Sequence, residues 1–207
     1  MPITNPLLHD FPEEFHTERL TIRAPRAGDG TAINAGIVES HAELKPWMPW
    51  SDPIPSPDDS ETNVREAAAQ FMLRQNLRLH AFFTDTGEFV ASTGLHNLNW
   101  PAGAFEIGYW IRTSLSGQGL VTEAVCGIVQ FAADYLDARR LQICCDANNV
   151  KSRRVAERAG FHLESLRLGD DVAADGSRRD TLVFALLRLD DHTWGYPETD
   201  RGGCPIE

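Results

Sequence analysis

The chain has 207 residues, 42% of them hydrophobic and 24% charged, which is enough apolar content for one sizeable core. Its net charge of −11 opposes a nucleic-acid backbone, so we expect no direct nucleic-acid partner and favour a cationic or amine-bearing one. No apolar run approaches the about 20 residues of a membrane span, and residues 1–10 lack the features of a secretory signal, so we expect a cytoplasmic protein without a membrane partner.

The first quarter of the chain contains a strand, a helix and a proline-rich stretch. An alternating apolar pattern predicts a strand over residues 20–24, and apolar residues at helical spacing predict a helix around residues 32–37. Repeated proline excludes regular pairing over residues 46–57, and we expect an ordered loop or a mobile lid there.

A helix and an antiparallel meander follow. The helix is predicted to be capped by Asp59 or Ser60 and to run through about residue 76. Its buried face is expected to carry five apolar side chains, Val64, Ala67, Ala68, Phe71 and Met72. Turn signals at residues 85–87 and 100–103 then separate three predicted strands, over residues 81–84, 89–95 and 105–111.

The second half is predicted to hold two helices between strands. One helix follows Gly119 and ends near Leu136, and another covers residues 150–159 with Gly160 as a left-handed C-cap. Further strands are expected at residues 141–145, 161–167 and 181–189, with a peripheral tail after them. The four cysteines follow no metal-ligand or disulfide spacing and are expected to be reduced: Cys126, Cys144, Cys145 and Cys204.

A polar turn with two glycines joins the strand ending near Ile111 to the next helix. Glycine lets a ligand approach the backbone closely, and the first N–H groups of a helix have no intrahelical acceptor. The turn therefore predicts an anion site suited to a pyrophosphate, although Gly117 and Gly119 alone would also fit a tight turn without a ligand. The chain lacks Gly-Lys-Ser/Thr and Gly-x-Gly-x-x-Gly patterns, which disfavours nucleotide-dependent kinases and dehydrogenases.

A second helix start is predicted at the same edge of the sheet. Asn149 and Ser152 fall in the first turn of the later helix, at a spacing that satisfies free N–H groups. Capping explains either residue alone. Two helix N-termini facing one sheet edge favour a ligand site.

At these residues the sequence resembles the GNAT N-acetyltransferases. Residues 114–119 (Ser-Leu-Ser-Gly-Gln-Gly) resemble the acetyl-CoA pyrophosphate loop of that family, usually Gln/Arg-x-x-Gly-x-Gly/Ala, with Ser114 in place of Gln or Arg. The resemblance covers about residues 17–189. Several segments are similar to the RimJ/RimL-like branch, which acetylates N-termini of ribosomal proteins: residues 18–23, 44–50, 106–111, 122–124, 149–152 and 158–161.

The resemblance implies a fold, a domain layout and an activity. The implied fold is α+β, with a mostly antiparallel twisted sheet of about seven strands that splays at a V-shaped cofactor cleft, flanked by about four helices. One acetyltransferase domain would cover residues 17–189, after an extension, residues 1–16, and before a tail, residues 190–207. The implied activity is transfer of the acetyl group of acetyl-CoA to a primary amine.

The resemblance also implies the cofactor contacts. Strand residues would pair with the pantetheine amides, and an N–H near Ile111 would stabilise the oxyanion: Tyr109, Trp110, Ile111 and Arg112. Main-chain amides would bind the pyrophosphate at Ser116, Gly117, Gln118, Gly119, Leu120 and Val121. Asn149 would orient coenzyme A or a water, and Ser152 would also contact the cofactor.

Two residues are the implied catalytic pair. Glu106 would act as general base on the amine, through water, and Ser152 would donate a proton or hydrogen bond to the departing thiolate. A solvated strand carboxylate is the alternative interpretation of Glu106. Cys145 is either a core cysteine or, if it faces the cleft, a thiol able to form a mixed disulfide with coenzyme A.

Three aromatic residues are candidates for the acceptor pocket: Trp47, Trp50 and His96. The favoured acceptor is the N-terminal α-amine of a ribosomal or other protein or peptide. A small amine, such as an amino acid, a polyamine or an amine antibiotic, is the alternative acceptor, and an acyl-CoA-binding module without turnover is the alternative class. The protein is expected to be a monomer or a homodimer.

Overall fold

The computed structural model describes residues 3–189 and 193–196. A nine-stranded mixed sheet is flanked by four α-helices in this part of the chain. The strands are β1 (Glu14–His16), β2 (Leu20–Arg23), β3 (Leu77–Phe83), β4 (Phe89–Asn99), β5 (Ala104–Ile111), β6 (Arg140–Asp146), β7 (His162–Val172), β8 (Arg178–Arg188) and β9 (Trp194–Gly195). The helices are α1 (Gly30–Leu44), α2 (Pro57–Met72), α3 (Leu120–Tyr135) and α4 (Val150–Arg158).

The sheet opens between its two central strands. Its order is β1-β2-β3-β4-β5-β6-β8-β7, with β9 on β8, and β5–β6 is the parallel pair among otherwise antiparallel neighbours of the described chain. The β5–β6 register runs from Ala104–Arg140 to Glu106–Gln142. Strand β5 then continues to Ile111 and β6 to Asp146, but in the described structure the two strands are no longer paired with each other. This divergence is the predicted V-shaped splay, and the predicted α+β fold with four helices is confirmed.

Each face of the sheet has its own hydrophobic packing. Helix α3 buries residues such as Val125 and Ile128 in the main core, which also contains Leu79 and Ile107. Helices α1 and α2 pack on the other face through a smaller cluster, Ile33, Ile37, Val64, Phe82 and Phe89. Alternate side chains of a strand point to opposite faces, so the central strands serve both clusters.

Helix α2 begins earlier than predicted. Its N-cap is Ser56, whose Oγ accepts the Asp59 N–H at 3.1 Å while the Asp59 carboxylate accepts the Ser56 N–H at 3.1 Å. The prediction of Asp59 or Ser60 as the cap was wrong because Pro57, which suits the first helical position, already belongs to the helix. Met72 was also wrongly placed on the buried face: it is 63% exposed at the end of the helix.

Two strands exceed the predicted number of about seven. Strand β1 lies within the segment predicted as an extension and pairs with β2, and the preceding Phe11 packs edge-on against Phe71 and Phe131 at 5.9 Å. Strand β9 lies in the predicted tail and returns to β8. The other tail residues, including Cys204, are outside the described residues. Among the described helices, none has the length and apolar character needed to cross a bilayer.

Candidate active site

The glycine turn has the geometry of an anion-binding loop. After a short 3₁₀ turn at Thr113–Leu115, Gly117 and Gly119 adopt left-handed conformations with φ of 83° and 80°. Gly119 is the N-cap of α3 and makes no side-chain cap hydrogen bond. A Cβ built on Gly117 would meet no atom within 4 Å, so the space above the loop is open. The first amides of α3 have no intrahelical acceptor, and the loop before them leaves room for a phosphate.

The loop is held by Arg19, which in turn pairs with Glu123; the sequence analysis assigned no role to either residue. Arg19 donates from Nη1 to the Gln118 carbonyl at 3.2 Å and from Nε to Glu123 Oε2 at 2.7 Å. Arg19 thus ties the loop to the first turn of α3, with its charge balanced by Glu123, near the point where Ser114 replaces the usual Gln or Arg. Its place within residues 18–23, one of the segments of the resemblance, was the signal that could have identified it.

Helix α1 supports the loop from the other side. Glu39 accepts the Ser114 N–H at 2.9 Å and Arg112 Nη2 at 2.7 Å. Burial acts to raise the pKa of Glu39, but the hydrogen bonds from Ser114 and Arg112 dominate and lower it. The Arg112 guanidinium also pairs with Glu88, so the Arg112 side chain is committed to two carboxylates.

The main chain of β5 presents free groups to the opening. The Arg112 N–H donates to the Val90 carbonyl at 3.1 Å. Two residues earlier on β5, Trp110 is in register with Ser92 of β4. Since hydrogen bonds of an antiparallel pair involve alternate residues, Trp110 and Arg112 use their main-chain groups on β4. Tyr109 and Ile111 direct theirs toward the splayed side. Of the four predicted strand contacts, these two have main-chain groups available to a pantetheine chain.

Six predicted site residues come together at the splay. They line one cavity of about 220 Å³: Trp47, His96, Glu106, Tyr109, Asn149 and Ser152. Cys145 is 8% exposed and lines the same cavity, and burial raises the pKa of its thiol. Trp50 lies apart, in the wall of a second cavity of about 620 Å³, which shares His96 and Tyr109 with the first.

A neutral hydroxyl pair lies on the α3–α4 side of the opening. Tyr109 Oη is 3.0 Å from Ser152 Oγ and donates to the Ser152 carbonyl at 3.1 Å. Asn149 caps α4 by accepting the Ser152 N–H at 3.0 Å, which fixes the serine. Burial raises the pKa of Tyr109 above its usual range, although Ser152 opposes the shift, so the phenol stays protonated. The pair can donate a proton or hydrogen bond.

The carboxylate of Glu106 is held on the opposite face of β5. Its Oε2 accepts Asn97 Nδ2 at 3.0 Å and Gln142 Nε2 at 2.9 Å, two partners that the sequence analysis did not identify. Residues 106 and 109 are an odd number apart on one strand, so Glu106 and Tyr109 project from opposite faces. A basic group and a hydroxyl pair thus flank the opening between β5 and β6.

His96 lies directly against the opening. It is in register with Glu106, and its ring covers Gly108, where a Cβ would collide with the imidazole, 2.6 Å from Cε1. Burial lowers the pKa of His96, and the nearby Glu106 charge only partly offsets this, so the ring is neutral at pH 7. The imidazole therefore separates the two cavities without adding a charge.

These features define a class of protein. An open loop of left-handed glycines at a helix start, free β5 amides and a splayed parallel pair fit a pyrophosphate followed by an extended amide-bearing arm, which is coenzyme A. The fold and the site are those of an acyltransferase that takes its acyl group from an acyl-CoA.

The chain belongs to the GNAT acetyltransferase family, matching the Acetyltransferase (GNAT) domain over residues 19–162. It is 30% identical over 174 residues to the putative ribosomal N-acetyltransferase YdaF of Bacillus subtilis, covering 83% of this chain and 92% of that protein. It is 27% identical over 130 residues to the ribosomal-protein-serine acetyltransferase of Escherichia coli, covering 62% and 70%. The protein is an acetyl-CoA-dependent acetyltransferase.

A solved structure shares the fold. RimL, a ribosomal α-N-protein acetyltransferase crystallised in complex with coenzyme A, superposes with a TM-score of 0.79 at 22% identity, covering 84% of this chain and 98% of that one. In that complex coenzyme A forms a disulfide with a cysteine of RimL.

Proposed function

We propose that this acetyltransferase modifies the N-terminal α-amine of a protein, most directly a ribosomal protein, by direct attack in a ternary complex. The names of its relatives YdaF and the E. coli enzyme point to such an acceptor. We place the activity in the cytoplasm, where ribosomal proteins are made. The observation that supports the transferase mechanism is that the pairing of β5 with β6 ends at Glu106. Beyond this residue the two strands separate and leave a passage between the two faces of the sheet.

Binding is assigned to main-chain groups. The amides of residues 116–121 would hold the pyrophosphate at the start of α3, with Arg19 beside them. Tyr109 and Ile111 would hydrogen-bond the pantetheine amides through the splayed side of β5. Acetyl-CoA supplies an acetyl group already activated as a thioester, so positioning accounts for much of the catalysis.

Two side chains would handle the protons. Glu106, fixed by Asn97 and Gln142, would accept the proton of the attacking amine through a water molecule. Ser152, bonded to Tyr109, would donate to the sulfur as the C–S bond breaks and the N–C bond forms. The opposite placement of the two groups allows the amine to enter from the α1–α2 face while coenzyme A leaves on the other.

The larger cavity would receive the acceptor. Its volume of about 620 Å³ lies within the range of small-ligand sites, about 300–1,000 Å³. The cavity is bounded by Trp50 from the proline-rich stretch and by Trp110, whose rings are 6.0 Å apart. This volume also favours the second candidate, a small amine.

A thiol-release screen tests the proposal. Tetrapeptides with Ser, Ala or Met at the N-terminus are compared with free amino acids, polyamines and amine antibiotics at equal concentration. Preference for one peptide N-terminus, lost when that peptide is N-formylated, is the expected result. If only the free amines are turned over, the acceptor is a small molecule and not a protein N-terminus. Calorimetric binding of coenzyme A without turnover of any acceptor would identify a binding module.

A further inference from the structure

Two residues that line the larger cavity, Arg78 and Gly108, are connected across the sheet through Gly94. Across the sheet, Arg78 of β3 is in register with Gly94 of β4, which is in register with Gly108 of β5. A Cβ on Gly94 would lie 2.7 Å from Arg78 Cα, and one on Gly108 would strike His96. Both positions therefore require glycine. The row forms a track from Arg78 to Gly108, which borders the opening between β5 and β6, and the His96 ring covers the track at Gly108.

Arg78 stands at the far end of this track as a cation without a counterion. Its Nη1 donates to Asn63 Oδ1, and no salt bridge joins its guanidinium to a carboxylate among the described residues. Burial lowers the pKa of Arg78, and the more distant Glu66 only partly offsets the effect. Arginine remains charged under such conditions, so the cavity holds a partly desolvated guanidinium with unused N–H donors.

The other polar groups around Arg78 form no salt bridge with it in the described structure. His80 is 2% exposed, and burial lowers its pKa, so this ring is neutral, as is His96. Asp59 also lines the wall; hydrogen bonds from the Oγ and N–H of Ser56 lower the pKa of its carboxyl group, so it is ionised, but no salt bridge joins it to Arg78 among the described residues. Asn76 Oδ1 is buried without a hydrogen-bond donor among the described residues. The site thus offers a cation and an unused carbonyl oxygen to a ligand.

We propose that Arg78 binds an anionic group, a carboxylate or a phosphate, carried by the acceptor amine, and that Asn76 accepts an N–H of the same molecule. This proposal rests on the transferase function proposed above. Neighbouring strands are about 4.8 Å apart, so Arg78 and Gly108, two strands from each other, are separated by about 10 Å between Cα atoms. An acidic side chain at the second or third residue of a peptide fits this span, as does the far end of a small amino acid-like amine.

The proposal opposes the expectation from overall charge. The net charge of −11 favours cationic acceptors at long range. Within the cavity Arg78 offers N–H donors that no carboxylate occupies, and short-range contacts decide which bound acceptor reacts. A polyamine would place its second ammonium group near Arg78 and should therefore be a poor acceptor.

Matched acceptor pairs test the proposal. One pair is the amidated tetrapeptides Ser-Ala-Glu-Ala and Ser-Ala-Gln-Ala, and the other is 6-aminohexanoate and its amide, which distinguishes a peptide from a small-molecule source. A hydrogen bond between charged groups is worth about 1.5–3 kcal/mol, so kcat/KM should favour the acid of at least one pair by about 10- to 100-fold. R78Q should abolish that preference, R78E should reverse it and R78K should retain part of it.

The controls keep the outcomes distinct. R65Q removes an exposed arginine of α2 that pairs with Glu61 outside the cavity, and it should leave the preference unchanged. Turnover without an acid preference, or a preference that survives in R78Q, overturns the role of Arg78 while leaving the transferase intact. If R78Q does not fold, the acid preference of the wild type is compared with that of R78K. A smaller preference in R78K supports the proposal, and an equal one contradicts it. If nothing is turned over, calorimetric titration of the two peptides into the coenzyme A complex still tests the anion site: equal affinities would refute it.

Discussion

Replacing Glu106 by glutamine is the most direct test of the proposed proton route. The carboxylate oxygen that accepts Asn97 and Gln142 at 3.0 Å and 2.9 Å has an equivalent in the glutamine carbonyl, so E106Q can keep both bonds. Charged acceptors are worth roughly 1 kcal/mol more per hydrogen bond than neutral ones, so we expect at most about 2 kcal/mol of lost stability. The proton-accepting function is lost entirely.

The expected catalytic effect is much larger than the structural one. General-base catalysis contributes about 10²–10⁴-fold, or about 2.7–5.4 kcal/mol, so kcat of E106Q should fall by that factor. Thiol release measures kcat, and calorimetry should show coenzyme A affinity within about threefold of wild type, because the pyrophosphate loop is untouched. E157Q, which changes an exposed carboxylate paired with Arg153, is the control. If kcat of E106Q is reduced by less than about fivefold while folding and affinity are preserved, Glu106 is not the base.

Four other substitutions, one of them a control, address the loop, the leaving group and acid stability. Gly119→Ala and Gly176→Ala both put a side chain at positive φ, so each should lower Tm by about 2–8 °C, but only Gly119→Ala should weaken coenzyme A binding measured by calorimetry. Ser152→Ala should lower kcat by about 10- to 100-fold with little change in acetyl-CoA affinity, and an unchanged kcat would exclude its role toward the thiolate. Because the pKa of buried His80 is lowered, the unfolded state takes up its proton first as pH falls below about 6.5. Tm should therefore decrease from pH 7 to pH 5 in scanning calorimetry, with a shallower slope in His80→Asn; equal slopes would contradict this assignment.

Local patterns were sufficient for much of the fold. Alternation of apolar residues identified the central strands, and Gly160, with φ of 84°, closes α4 as its sequence position predicted. Strands β1 and β9 were missed because short edge strands have almost no periodic signal, and their existence depends on pairing with distant residues. The start of α2 was misassigned among several polar residues, each able to cap a helix, until the Ser56–Asp59 contact was known.

The residues of the site likewise fall into those predictable from local sequence and those that only the tertiary structure brings together. Chain order alone places Gly117 and Gly119 before a helix and Asn149 at the start of another, because these depend on neighbouring residues and on backbone conformations that only certain side chains tolerate. Residues separated by long stretches of chain give no such local signal. Three features are products of strand register and helix packing: the support of Glu106 by Gln142, the position of Arg19 beside the loop and the placement of Arg78 in the larger cavity. They arise because the sheet brings together side chains that are distant in sequence and whose neighbouring residues form no recognisable motif. Burial then sets their protonation state and determines which of their donors and acceptors stay without a partner.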